Sequence, residues 1–466
     1  MADTIDPTRL GVADTVRLTT SGALTASAAV EASLARIADL DAQLNAFSVV
    51  LADEARAEAA ERDRALAAGE APGPLHGVPV AIKEEVDVAG CVTTYGGVAN
   101  STPEAADGEV VRRLRAAGAV VVGKTTMPEF GAFPYTESVA RGITHNPWDR
   151  SRTPGGSSGG TAVAVATGMV PVGIGGDGGG SIRIPSACCG LFGLKTQRGR
   201  VSTAPTEHLW WALGVVGPLT RSVLDSAMVN DVLRGNTDTD LFRAGPTGSF
   251  VEAAQRTPSR LRIGWSATSP TRGVKPDPLH VAALHEAATL LADLGHEVTE
   301  VDPRYPDTTL AFVPQFFAGI RTEADAMEHY ERLERRTRQS YRMGTWVRPG
   351  VLSWALKQGE KVAEKANRVF DDCDVLLTPT IAHRPPKIGV ITGKGTVRSS
   401  LAALPAISYA ALWNVTGNPA ASIPCGIGPD GLPTAVQLVG RTDDETTLLS
   451  LAAQMESTRP WPRWEP

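Results

Sequence analysis

Short apolar runs closed by glycine or proline, alternating with stretches of helical period, constrain this chain more than any other feature. Val78–Ile82, Ala119–Val122 and Val170–Ile174 are short for helices and continuously apolar, so they read as buried strands. Gly108–Ala117 supplies a helix between the first two. Ahead of them, Val30, Leu34, Ile37, Leu40 and Leu44 repeat at helical spacing within Thr25–Asn45. Asp53–Ala68 is a polar helix stopped by Ala71-Pro-Gly-Pro74. Leu261–Trp265, Asp277–Leu294 and His296–Val301 make another strand–helix–strand unit, and Asp374–Leu377 and Thr434–Leu438 read as later strands. Strands with no polar face need helices on both sides. The fold class expected is α/β, a sheet covered on both faces.

No repeat, charge block or long linker divides the 466 residues, so one large domain, 1–466, is expected. Within it, 1–72 reads as a helical segment packed on the core, 73–235 as a Gly/Ser-rich core, and 323–370 as a charged helical segment. A net charge of −6 argues against a protein that binds nucleic acid by neutralising phosphates. No stretch approaches 18 apolar residues, so no membrane partner is expected. Met1–Asp14 is acidic and lacks the basic flank and apolar centre of a secretory signal, which points to the cytoplasm. Five cysteines without a C-x-x-C spacing and eight scattered histidines give neither a disulfide framework nor a metal site; no cofactor is expected.

With 47 glycines, the chain produces three motif matches, two of which fail on inspection. Gly118-Ala-Val-Val-Val-Gly123-Lys124-Thr125 fits the phosphate-loop pattern, but its middle is β-branched and belongs in a buried strand. Gly173, Gly175 and Gly178 fit G-x-G-x-x-G, but neither a helix start nor a ribose-binding acid follows. Gly156-Ser157-Ser158-Gly159-Gly160 fits the G-x-S-x-G elbow of α/β-hydrolases. A polar, proline-containing approach replaces the strand that an elbow needs, yet His208, His296 and His383 follow downstream, and that reading stays open.

Three segments carry chemistry. Gly77-Val-Pro-Val-Ala-Ile-Lys83 puts a lysine at the end of a buried strand, where α/β proteins place their sites. Thr153-Pro-Gly-Gly-Ser157-Ser158-Gly-Gly and Gly175-Gly-Asp-Gly-Gly-Gly180-Ser181-Ile-Arg-Ile-Pro185 put two serines 24 residues apart, flanking the apolar Ala162–Ile174. Such glycine-rich backbone is costly in entropy, and it frees N–H groups to point at one spot.

Together these segments closely resemble the amidase signature family, from about Leu24 to Pro460. The most specific part is Arg152–Arg200; Lys83, Gly217-Pro-Leu-Thr-Arg-Ser222, Leu376-Leu-Thr-Pro379, Asn414-Val-Thr-Gly-Asn-Pro419 and Gly431-Leu-Pro433 also fit. The resemblance implies a central mixed twisted sheet and an amide hydrolase that works through an acyl-enzyme. It implies Ser181 as nucleophile, Ser157 after a non-proline cis peptide as the bridging hydroxyl, and Lys83 as the terminal base. A lysine accepts a proton only when neutral, a form that burial favours. Gly178, Gly179 and Gly180, with the Ser181 N–H, would form the oxyanion hole; Ser158, Asp177 and Arg183 would brace them. The family often has Thr or Ile where Gly178 stands, and Lys-Pro-Thr at Lys195-Thr-Gln197, so pocket shape is expected to differ.

By position, Met127, Phe130, Phe133, Tyr135, Trp210, Trp211 and Trp413 are candidates for the substrate pocket, and 323–370 could cap it. Aromatics there favour a small-molecule amide with an apolar or aryl group. The alternatives are a hydrolase of cyclic or oligomeric amides, the glutaminase subunit of a transfer-RNA amidotransferase, and a catalytically silent binding protein. Arg183-Ile-Pro-Ser186 departs from the Arg-Gln-Pro-Ala usual in the amidotransferase group. A homodimer is a family-level expectation.

Overall fold

The computed structural model describes residues 5–465, so Met1–Thr4 of the opening acidic stretch lie outside the described residues. Among the described residues thirteen strands form in chain order: β1 Phe47–Val50, β2 Pro79–Lys83, β3 Val120–Thr125, β4 Glu137–Ser138, β5 Gly142–Ile143, β6 Val172–Asp177 and β7 Phe192–Lys195. Then come β8 Val215–Thr220, β9 Arg262–Trp265, β10 Glu297–Glu300, β11 Val375–Pro379, β12 Ala420–Ile427 and β13 Pro433–Gly440. Eleven of them make one mixed sheet in the order β1-β3-β2-β6-β8-β7-β12-β13-β11-β9-β10, and β4 and β5 pair separately. β2 runs parallel to β3 and β6, and β9 runs parallel to β10 and β11; the other pairs are antiparallel.

Alternation along the central strands explains the two covered faces. On β2, Val80 and Ile82 pack into one apolar cluster while Ala81 packs into another. On β3, Val121 faces the first of these and Val120 and Val122 the second. Successive side chains point to opposite faces, so a strand apolar throughout needs cover on both. Helices supply it.

The helices expected near the N-terminus fall at Ala26–Leu44 and Ala52–Ala67. The segment 1–72 is not purely helical, however: β1 lies between these helices and pairs antiparallel with β3, Phe47 opposite Thr125. Its four residues, Phe-Ser-Val-Val, are β-formers too few to show a period. Among the described residues no helix is long and apolar enough to cross a membrane.

Candidate active site

β2 and β6 are parallel neighbours and therefore end at the same edge of the sheet, where ligands of α/β folds bind. Lys83 closes β2 and Asp177 closes β6. The helix Gly159–Ala166 packs on both strands, and the loop entering it carries Ser157. Lys83 Nζ donates to Ser157 Oγ at 2.8 Å, both side chains buried, and the Gly156–Ser157 peptide is cis. Ser181 lies just past the loop leaving β6 and lines one cavity with Lys83 and Ser157. The three residues expected to carry the chemistry are thus brought together.

The loop from Gly178 to Gly180 is pinned by Asp177. Gly180 donates its N–H to Asp177 Oδ1 at 2.7 Å, which corrects its expected part in the oxyanion hole. The N–H groups of Gly178, Gly179 and Ser181 meet no protein acceptor among the described residues. Arg183 pairs with Asp177 through Nε and Nη2, each at 3.0 Å, and both side chains are wholly buried. Arg183 also donates to the Asn414 side chain at 2.7 Å and to Gln437 Oε1 at 2.8 Å. Asn414 returns its amide to the Asp177 backbone and carboxylate at 2.7 and 2.8 Å. Burial alone would raise the Asp177 carboxyl; the Arg183 guanidinium and the Asn414 amide outweigh it and hold the group well below the usual carboxylate range. Ser158 Oγ donates to the Gly176 carbonyl at 3.2 Å and accepts its N–H at 3.3 Å.

Above the serines opens a cavity of about 360 Å³. Phe130, Phe133, Trp210, Phe312, Phe316 and Phe317 form much of its wall. Phe130 and Trp210 hold left-handed backbone, φ 57° and 51°, a conformation that bulky residues adopt rarely and mostly at functional sites. Of the expected pocket residues, Met127, Tyr135, Trp211 and Trp413 do not line the cavity. Tyr135 donates its hydroxyl to the Ala402 carbonyl, Trp211 stacks on His208, and Trp413 packs against Tyr305 and Phe370. The roof also differs from the expected 323–370. Helices Thr309–Asp325 and Thr396–Ile407 supply it, and from 323–370 only Met343 reaches the cavity.

No histidine lines the cavity, and Ser158 is fully buried in its exchange with Gly176, so an α/β-hydrolase elbow lacks both its base and its exposed hydroxyl. Among the described residues no group of three His, Cys, Asp or Glu is placed to hold a metal. Sequence reasoning missed Glu85, Asn414 and Gln437 as parts of the site. Gln437 was discoverable as the one amide inside the apolar Ala435–Val439, and Glu85 as a carboxylate on the same face as Lys83 two residues earlier.

A family model described as Amidase matches residues 28–449. The Mycobacterium bovis protein named "Putative amidase AmiB2" is 49% identical over 99% of both chains. A solved structure of 6-aminohexanoate cyclic dimer hydrolase superposes with a TM-score of 0.92 at 30% identity, covering 98% of both chains. A bacterial aryl acylamidase structure of the amidase signature family gives 0.87 at 27% identity, covering 97% of this chain and 96% of that one.

Proposed function

Because the chain belongs to the amidase family and is an amide-hydrolysing enzyme, we propose that it does so through Ser181, Ser157 and Lys83. One observation carries this reading: a buried lysine 2.8 Å from a buried serine hydroxyl, the two lining one cavity with Ser181. The Ser181 oxygen bonds to the amide carbon and its proton passes to Ser157, which hands its own to Lys83. The lysine returns a proton to the departing nitrogen, leaving an ester on Ser181 that water cleaves to the acid. The N–H groups of Gly178, Gly179 and Ser181 face the oxygen that becomes negative.

Walls of phenylalanine, tryptophan and aliphatic side chains favour an apolar or aryl group on the amide, since the charged residues of the lining, Lys83, Glu85 and Asp177, lie at or just beyond the ends of β2 and β6. The likeness to the cyclic dimer hydrolase adds cyclic oligoamides as a second reading. Cytoplasmic location and a homodimer belong to the same proposal; fractionation and sedimentation equilibrium test them.

The test is product release from primary, anilide, cyclic and glutamine amides without ATP or partner proteins. Turnover of apolar or aryl amides is expected, falling by about a thousandfold or more in Ser181→Ala and Lys83→Ala. The rate should also fall on acidification, as the base gains a proton before the reaction. Turnover that survives either substitution would overturn the assignment of that residue.

A further inference from the structure

Glu85 stands two residues beyond Lys83, and nothing in the mechanism above uses it. Its Oε1 lies 3.0 Å from Lys83 Nζ, with the two side chains 8% and 1% exposed. The amine therefore donates a hydrogen bond to Ser157 Oγ and is ion-paired with the carboxylate, whose Oε1 lies close by but outside hydrogen-bond geometry. The backbone leaves room for this: a Cβ at Gly176 would fall 2.0 Å from Glu85 Oε1, and one at Gly131 would fall 3.5 Å from Oε2. A side chain at 176 would push the carboxylate off the lysine.

The other groups around Glu85 do not compete for its charge. Glu85 also borders a smaller cavity of about 50 Å³ with Asp87, Tyr95, His208 and Glu323. Burial, with Glu85 and Asp87 adding to it, pushes the Glu323 carboxyl up to about 8, so it is mostly protonated at neutral pH. Burial likewise raises the Tyr95 phenol well above its ordinary value and lowers the His208 imidazole, leaving both neutral. Asp87 is a second carboxylate. Lys83 is the basic side chain nearest the Glu85 carboxylate.

We propose that Glu85 is a positioning residue for amide hydrolysis, fixing the Lys83 amine on Ser157 and stabilising the ammonium that forms as the proton arrives. This rests on Lys83 being the terminal base. During acylation the C–O bond to Ser181 forms, one proton moves from Ser181 to Ser157 and one from Ser157 to Lys83. The new ammonium sits beside the Glu85 carboxylate until its proton leaves on the amine. A carboxylate behind an imidazole plays the corresponding part in Ser-His-Asp enzymes.

Such a carboxylate has two effects that pull apart in an experiment. It speeds the step that creates the cation, and it also holds a proton on the amine beforehand, so that more alkaline medium is needed. Glu85→Gln keeps the size and removes the charge. The expected result is a kcat lower by about tenfold or more with little change in KM, and an acid limb of the pH–rate profile displaced downward by about one pH unit. Glu85→Asp should keep the limb in place at an intermediate rate.

A Glu85→Gln enzyme with a lower melting temperature but wild-type kcat, KM and acid limb would overturn the proposal, because a purely structural carboxylate moves neither kinetic quantity. If that variant does not fold, Glu85→Asp decides alone, and a kcat within twofold of wild type overturns it. Lys83→Met separates the two readings. An active Lys83→Met enzyme sinks the assignment of the base itself; an inactive one beside a kinetically normal Glu85→Gln sinks only the part given to Glu85.

Discussion

At position 180 the backbone needs a glycine, and at 178 it does not. Gly180 has φ +124°, and a Cβ there would lie 2.6 Å from both Ala410 Cβ and Ile184 Cδ1. Gly180→Ala is expected to cost about 1–3 kcal/mol, read as a lower melting temperature. A Cβ at Gly178 meets nothing closer than the Trp210 ring at 3.8 Å. Gly178→Ala should therefore melt within about 0.5 kcal/mol of wild type, since its missing side chain leaves room in the cavity rather than relieving the backbone. The departure at 178 was legible in the sequence, where it was expected to loosen the loop or to widen the pocket beside it. That Lys83, Ser157 and Ser181 would come together was legible too, in a lysine closing a buried strand and two glycine-flanked serines. The aromatics were not: Trp413 and Trp210 have the same chemistry, and only tertiary placement decides that one packs and the other lines the cavity.

Among the elements, the turn Glu129–Gly131 has the most to do with the cavity wall. Glu129 is buried, and its Oε2 accepts the N–H of Glu334 at 2.9 Å, tying the wall to the segment beneath the roof. Burial is the main cause that pushes its carboxyl up to about 7 from 4.5, with Glu334 adding to it and Thr337 and Arg336 opposing. The folded chain then holds a proton that the unfolded chain has lost between those values, so this group's contribution to stability falls as pH rises through that window. Glu129→Gln cannot ionise. The difference in melting temperature, variant minus wild type, is expected to grow from pH 4.5 to 7.5; a constant difference would show that the carboxyl stays charged in the folded chain. Elements with a clear period were legible to within a few residues, Pro278–Asp293 against an expected Asp277–Leu294 among them. β7, β8 and β12 escaped, since Val-Val-Gly-Pro-Leu-Thr carries turn residues inside a strand. The roof escaped as well: an apolar helix face looks the same whether it meets a core or a cavity.

On the scale of the whole molecule, the sheet's strand order was beyond the sequence, because its two halves are joined by the pairing of β7 with β12, Lys195 opposite Ala420. The clearest of the long connections is polar. Arg183 reaches Gln437, 254 positions away, and Asp177 reaches Asn414 across 237. Arg183→Met leaves the Asp177 carboxylate buried and unpaired, and is expected to cost about 3–5 kcal/mol in denaturant unfolding. A cost under 1 kcal/mol would show that water or a neighbouring donor replaces the guanidinium. The same connection sets a schedule for synthesis. A ribosome finishes Lys83, Ser157 and Ser181 long before the strand that carries Gln437, so the nascent chain holds these serines while Arg183 has Asp177 but still lacks Asn414 and Gln437. Hydrolytic power comes late in translation and all at once, and a chain released before β13 is complete should carry none of it.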